Sequence, residues 1–314
     1  MTAATLSPRF DPKPRPIPPF RPRKVALPKL TPMGTPNMTI GLVAKCWWNE
    51  HLVAISDRQL SYNDVVEAPD DATSKAYSLS KTWGALYSAG NVGPIPAIMQ
   101  EVHYELYCSE GAVTEQTVRA AFRRVWWQSV NERVRDRYLA PLGIDSLDEF
   151  RRNGLAELGQ TEFSRITNLI ENFDPEIQFL VYGFDQDKHV KASHIFEVGK
   201  SGQEELFSNR DVQGFGVIGS GMWPALGMLV NTGAGGYRNL KEAVYRLCEA
   251  KFVAETASGV GRATTVSVMA QDGRVVVFPD ADISAIRSIW EKERKQDVPY
   301  DADDILEKTL KTVD

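Results

Sequence analysis

The chain has 314 residues and a net charge of −5, from 36 Lys and Arg against 41 Asp and Glu. It is long enough to bury one large core or two modest ones, and its acidic body gives no reason to expect nucleic acid as a partner. No apolar run reaches membrane-spanning length, and Cys46, Cys108 and Cys248 show no CxxC spacing, so neither a membrane partner, a disulfide framework nor a metal site is expected, and a reducing, cytoplasmic setting is.

Residues 1–38 carry seven Lys and Arg against Asp11 alone, interleaved with ten prolines. Each proline removes a backbone donor, and there is little apolar area to bury, so this stretch reads as a disordered basic tail or a removable pro-segment. From Met38 to Arg58 two apolar, β-prone runs flank a polar Asn49-Glu50-His51 tip, which is a hairpin pattern. A turn centred on Asn49 sets Thr39 opposite Gln59 and Gly41 opposite Asp57. Thr39 and Asp57 then share a face of the sheet one diagonal step apart.

A polar connection through Asn63-Asp64 and Pro69-Asp-Asp71 leads to a second strand pair, Lys75 to Ala89, turning near Lys81. These four strands read as one early antiparallel sheet. Helical spacing then puts Ile95, Ile98, Met99, Val102 and Leu106 on one face, and Val118, Ala121, Phe122, Val125, Ser129, Val130 and Val134 on another, with Thr114 as N-cap. Trp126 and Trp127 read as core or subunit-contact residues. Residues 139–175 are polar and helical, punctuated by Gly143, Gly154 and Gly159, and form a predicted surface insertion.

Strands return at Ile177–Tyr182 and Val190–Val198, joined by a turn at Asp185–Lys188, with Gly199–Gly202 closing the second. Phe215–Ile218 ends in Gly219-Ser-Gly221 and enters a helix. A further helix spans Leu240–Ala257, a hairpin pairs Thr264–Ala270 with Arg274–Phe278 around Gln271-Asp272-Gly273, and a last helix covers Asp282–Lys295 before an acidic tail, 296–314. Each sheet has an apolar face to bury, which predicts an α+β, four-layer α/β/β/α sandwich of two mainly antiparallel sheets.

In order and spacing, Thr39-Ile-Gly, Ser56-Asp57-Arg58, Lys75, Ser88-Ala-Gly90, Val181-Tyr-Gly-Phe-Asp185, Ile218-Gly-Ser-Gly221, Glu255-Thr-Ala-Ser-Gly259 and Gln271-Asp-Gly273 resemble the β-type proteasome subunits and the related bacterial ATP-dependent threonine protease. Both are N-terminal-nucleophile hydrolases, and the likeness spans Thr39 to about Trp290. It implies a hydrolase domain over 39–295, with Thr39 Oγ as nucleophile and the freed α-amine of Thr39 as its base. A threonine hydroxyl is unreactive without a neighbouring base, and an α-amine titrates at about 8, so residues 1–38 must be absent from an active form.

The same resemblance places Lys75 beside Thr39, with Asp57 holding its ammonium. It assigns the Gly90 N–H to an oxyanion, and Ser220, Glu255 and Ser258 to supporting roles. Leu60, Thr73, Ser88 and Val92 match substrate-pocket positions and are uncharged, implying an apolar or small residue before the scissile bond.

Several features depart from the family pattern. Glu255 stands where aspartate is usual, Pro94 replaces an acid, and the first hairpin is longer by about two residues. A slip of two places in that hairpin would put Asn37 at the nucleophile position. The implied activity is peptide hydrolysis without cofactor or metal inside a homo-oligomeric ring acting on peptides or unfolded proteins, with room for an ATP-dependent unfoldase. An inactive scaffold subunit and a small-molecule amidohydrolase are the alternatives.

Overall fold

A computed structural model of the chain describes residues 39–46, 50–59, 61–62, 66–67, 74–186, 192–199, 206–233, 237 and 239–293. The tail at 1–38, the acidic segment 296–314, Leu60 and Thr73 lie outside the described residues, as do the Pro69–Asp71 stretch, half of the Asp185–Lys188 turn and most of the Gly199–Gly202 turn.

The first hairpin forms β1 (Gly41–Cys46) and β2 (His51–Asp57). Its register differs from expectation by one residue: Gly41 faces Ser56 and Cys46 faces His51, so the turn centre falls before Asn49. A one-residue slip exchanges sheet faces, so the predicted diagonal between Thr39 and Asp57 does not exist as strand geometry. Thr39 lies outside β1, Ile40 O accepts the Asp57 N–H at 3.3 Å, and the two side chains meet where the strands end.

Two short strands, β3 (Ser61–Tyr62) and β4 (Val66–Glu67), pair with each other. The second hairpin forms β5 (Ala76–Ser80) and β6 (Trp83–Ala89), turning at Lys81-Thr82. The two hairpins do not share a sheet, contrary to the sequence expectation. β1 and β2 sit between β10 (Phe215–Ile218) and β11 (Thr264–Ala270), with β12 (Val275–Val277) at the edge, in the order β10-β1-β2-β11-β12. With both of its edges taken by late strands, that hairpin has no place for β5 or β6. The second sheet instead runs β5-β6-β7-β8-β9, with β7 (Ile177–Phe184), β8 (Ser193–Val198) and β9 (Phe207–Asn209), a strand that the sequence pattern does not signal. Every strand pairing within these sheets is antiparallel.

Alternate residues of β1 point to opposite faces, and both faces are covered, so the whole strand is buried. Val43 packs with Leu52, Ala54, Leu86, Leu180, Tyr182 and Ile195, a core drawn from both sheets. Leu42 and Ala44 point the other way, into a core with Ala225, Leu229, Leu247, Cys248 and Phe252. Those residues come from α4 (Met222–Asn231) and α5 (Leu240–Ala254), and α6 (Asp280–Glu293) adds Ile283 and Trp290.

The second sheet's other face packs on α1 (Ile95–Cys108) and α2 (Glu115–Val134), where Phe122 and Trp126 both meet Phe179. All five predicted α1 face residues are buried, and Thr114 caps α2 by accepting the Thr117 N–H. Trp126 is buried, whereas Trp127 is 48% exposed. Much of the stretch 139–175 is helical. Its main helix, α3 (Leu147–Glu171), breaks at Gly159 (φ 76°) and packs Phe150 and Ile166 on Leu139 and Ile144.

The chain is therefore α+β, with two antiparallel sheets sharing a core and helices packed on each. Among the described residues no helix is long and apolar enough to cross a membrane.

Candidate active site

Thr39, Asp57 and Lys75 converge although they come from three separate places: the approach to β1, the end of β2 in the first sheet, and the residue before β5 in the second. The Lys75 backbone is held by its carbonyl, which accepts the Tyr87 N–H at 3.2 Å. All three residues are almost wholly shielded, at 2%, 0% and 2% exposure.

Lys75 Nζ donates to Thr39 Oγ1 and, at 2.9 Å, to Asp57 Oδ1. An ammonium has donors only, so Thr39 Oγ1 accepts from Lys75 and directs its own proton to Asp57 Oδ1, 2.7 Å away. Asp57 Oδ1 also accepts the Ile40 N–H at 3.1 Å, and Oδ2 accepts the Gly261 N–H at 3.2 Å. Four donors therefore converge on the buried Asp57 carboxylate, the Lys75 ammonium among them.

Ser220, in the turn between β10 and α4, supports the same residue from the other side. Its Oγ accepts the Thr39 N–H at 3.2 Å and lies 3.4 Å from both the Thr39 and Ser258 carbonyls. The turn is possible because Gly219 adopts φ +98°, with the Thr39 carbonyl oxygen inside van der Waals contact of where a Cβ would be. Any side chain there would displace Thr39.

Other expected site residues sit elsewhere. The Gly90 N–H donates to the Glu176 carbonyl at 3.1 Å, so the donor assigned to an oxyanion is already committed. Glu176 reaches it from a left-handed conformation (φ 56°) that no spacing in the sequence signals. Ser258 is exposed and meets Ser220 through its main-chain carbonyl.

Glu255 caps the end of α5, and its carboxylate is taken by Lys251 and by Arg287, which donates at 2.6 and 2.7 Å. Its part in the site is indirect. Of the pocket positions, Ser88 is fully buried with its hydroxyl unpartnered, and Val92 packs into the α1–α2 core.

Gly261 and Lys251 are the contacts that sequence reasoning missed. Lys251 and Glu255 carry the i, i+4 spacing of an ordinary solvated helix pair, so nothing local marks the lysine as buried.

A second charged cluster joins the two sheets away from Thr39. His194 Nδ1 lies 3.0 Å from Asp211 Oδ2 and 3.3 Å from Glu115 Oε2, and its Nε2 lies 3.4 Å from Asp185 Oδ2. Glu115, His194 and Asp211 are close enough for a metal ion, but Lys45 Nζ, 2.9 Å from Asp211 Oδ1, already supplies a cation there. Burial works to lower the His194 pKa and the three carboxylates outweigh it, so the net direction is up. Asp211 is drawn down to about 2: burial opposes this, and bonds from His194, the Ile195 N–H and Lys45 overcome it.

Compared with protein-family models and with curated proteins, the chain matches none.

Proposed function

We propose that this chain is a threonine-type peptidase of the N-terminal-nucleophile hydrolase fold, active once cleavage between Met38 and Thr39 frees the Thr39 amine. The observation that carries this reading is the Thr39 hydroxyl seated between Lys75 Nζ and Asp57 Oδ1, with its own backbone nitrogen held on Ser220 Oγ.

In the intact chain that nitrogen is an amide, whose lone pair is delocalised into the carbonyl, and it cannot serve as a base. Freed, it becomes an amine of pKa about 8 that takes the Oγ proton at neutral pH. Oγ then attacks the substrate carbonyl, and the ammonium returns the proton to the leaving amine. Water hydrolyses the resulting Thr39 ester. Lys75 remains an ammonium throughout and stabilises negative charge developing on Oγ, while Asp57 fixes its position. The oxyanion donor is a group other than the Gly90 N–H, which is engaged by Glu176.

The reading extends to a homo-oligomeric ring that confines hydrolysis of peptides or unfolded proteins. The test compares the full chain with a chain beginning at Thr39, using a fluorogenic peptide amide and a threonine-directed electrophile followed by intact mass. Turnover and a single adduct only in the Thr39-starting form support the peptidase. Native protein that keeps residues 1–38 and takes up no electrophile supports an inactive scaffold, and turnover of acylated amines but not peptides supports an amidohydrolase.

A further inference from the structure

We infer that Lys251 is a positioning residue for the Thr39 site, acting through the loop 255–262 that holds Asp57 and Ser220 in place. This deepens the peptidase reading and rests on it. Lys251 lies on α5, away from the reacting atoms, with 0% exposure. Its ammonium has three donors, and each has an acceptor: Glu255 Oε1, the Gly261 carbonyl at 2.7 Å and the Arg262 carbonyl at 2.9 Å.

An apolar residue of similar volume would fill this space at less cost in desolvation, since a buried ion pair is commonly neutral or worse for stability. What the lysine provides instead is orientation. By gripping two successive carbonyls it fixes the backbone on the C-terminal side of Gly261, a residue with no side chain to hold it. The N–H of that same residue donates to Asp57 Oδ2. Earlier in the loop, the Ser258 carbonyl meets Ser220 Oγ, which receives the Thr39 N–H. The loop therefore touches both partners of the nucleophile, and Lys251 fastens its end to the helix.

Arg287 on α6 secures the arrangement, bonding both Glu255 oxygens and the Arg262 carbonyl at 2.8 Å while lying over the Phe252 ring. Burial draws the Lys251 pKa down to about 8 against the pull of Glu255.

The experiment uses Lys251→Met in the chain beginning at Thr39, with electrophile labelling rate, kcat and KM on a fluorogenic peptide, and thermal melting to confirm folding. Misplacing a reacting group by about 1 Å can cost about a hundredfold, so labelling and kcat are expected to fall about ten- to hundredfold while KM stays within about twofold.

Labelling within about twofold of wild type, or a loss confined to KM, overturns the inference while leaving the peptidase reading standing. Absence of labelling in the wild type overturns both together. If Lys251→Met does not fold, the double variant Lys251→Met/Glu255→Gln is compared with Glu255→Gln alone, and the same changes in labelling, kcat and KM between those two support or overturn the inference.

Discussion

Replacing Lys75 by Met in the Thr39-starting chain removes the cation that contacts the Thr39 hydroxyl while preserving side-chain length. At a separation of about 3 Å and an effective dielectric of about 20, opposite unit charges attract by about 5 kcal/mol, which is the stabilisation an alkoxide-like Oγ would lose. At about 1.4 kcal/mol per tenfold, that corresponds to a fall in kcat of about three and a half to four orders of magnitude.

Folding suffers less than removal of a buried partner ordinarily implies, because Asp57 keeps the Thr39 hydroxyl and the Ile40 and Gly261 N–H groups. The cost falls at the lower end of the usual range, about 3 kcal/mol. For a domain of this size that lowers the melting midpoint by about 6–12 °C. The assay is steady-state hydrolysis of a fluorogenic peptide amide at 25 °C, with circular dichroism to confirm the fold. A folded Lys75→Met protein that keeps more than about a tenth of wild-type kcat, a loss of only about 1.4 kcal/mol, would refute the assignment of Lys75 to the developing charge.

Thr39→Ala is expected to abolish turnover and electrophile capture while costing only about 1 kcal/mol of stability, because Lys75 and Asp57 still bond directly; chemical denaturation and intact mass check both halves. Gly219→Ala forces a side chain into a left-handed position against the Thr39 carbonyl, so labelling should fall together with the melting midpoint, by at least the 2–8 °C that about 1–2 kcal/mol of left-handed strain implies. The raised pKa of His194 means its stabilising contribution is complete below the unfolded value of about 6.5 and is lost as pH climbs through the folded value. The urea midpoint should therefore drop across that interval, and His194→Gln should flatten the drop.

Much of the fold is readable along the chain because local periodicity reports local burial. The α1 stripe from Ile95 to Leu106, the Thr114 cap and the β11–β12 hairpin all depend on neighbours within a few residues. Partner choice between strands does not, and so the sequence pattern alone suggests one sheet for the two early hairpins. Their edges are in fact taken by strands far later in the chain, such as β10 and β7. The hairpin register differs by one residue for a related reason, since a polar tip of several residues can close around more than one centre.

At the site the division is sharper. The hairpin pattern gave the expectation that Thr39 and Asp57 lie close together, and the resemblance to N-terminal-nucleophile hydrolases added Lys75 beside them, as the three side chains do in space. Tertiary structure alone decided that the Asp57 carboxylate is steadied by Gly261, that the Gly90 N–H is occupied by Glu176, that Glu255 serves Lys251 and Arg287, and that a lysine in an ordinary helical spacing is wholly buried. Side-chain type is written in the sequence, but the direction of a backbone N–H and the solvent exposure of a charge depend on segments as distant along the chain as Asp57 and Gly261 meeting in space.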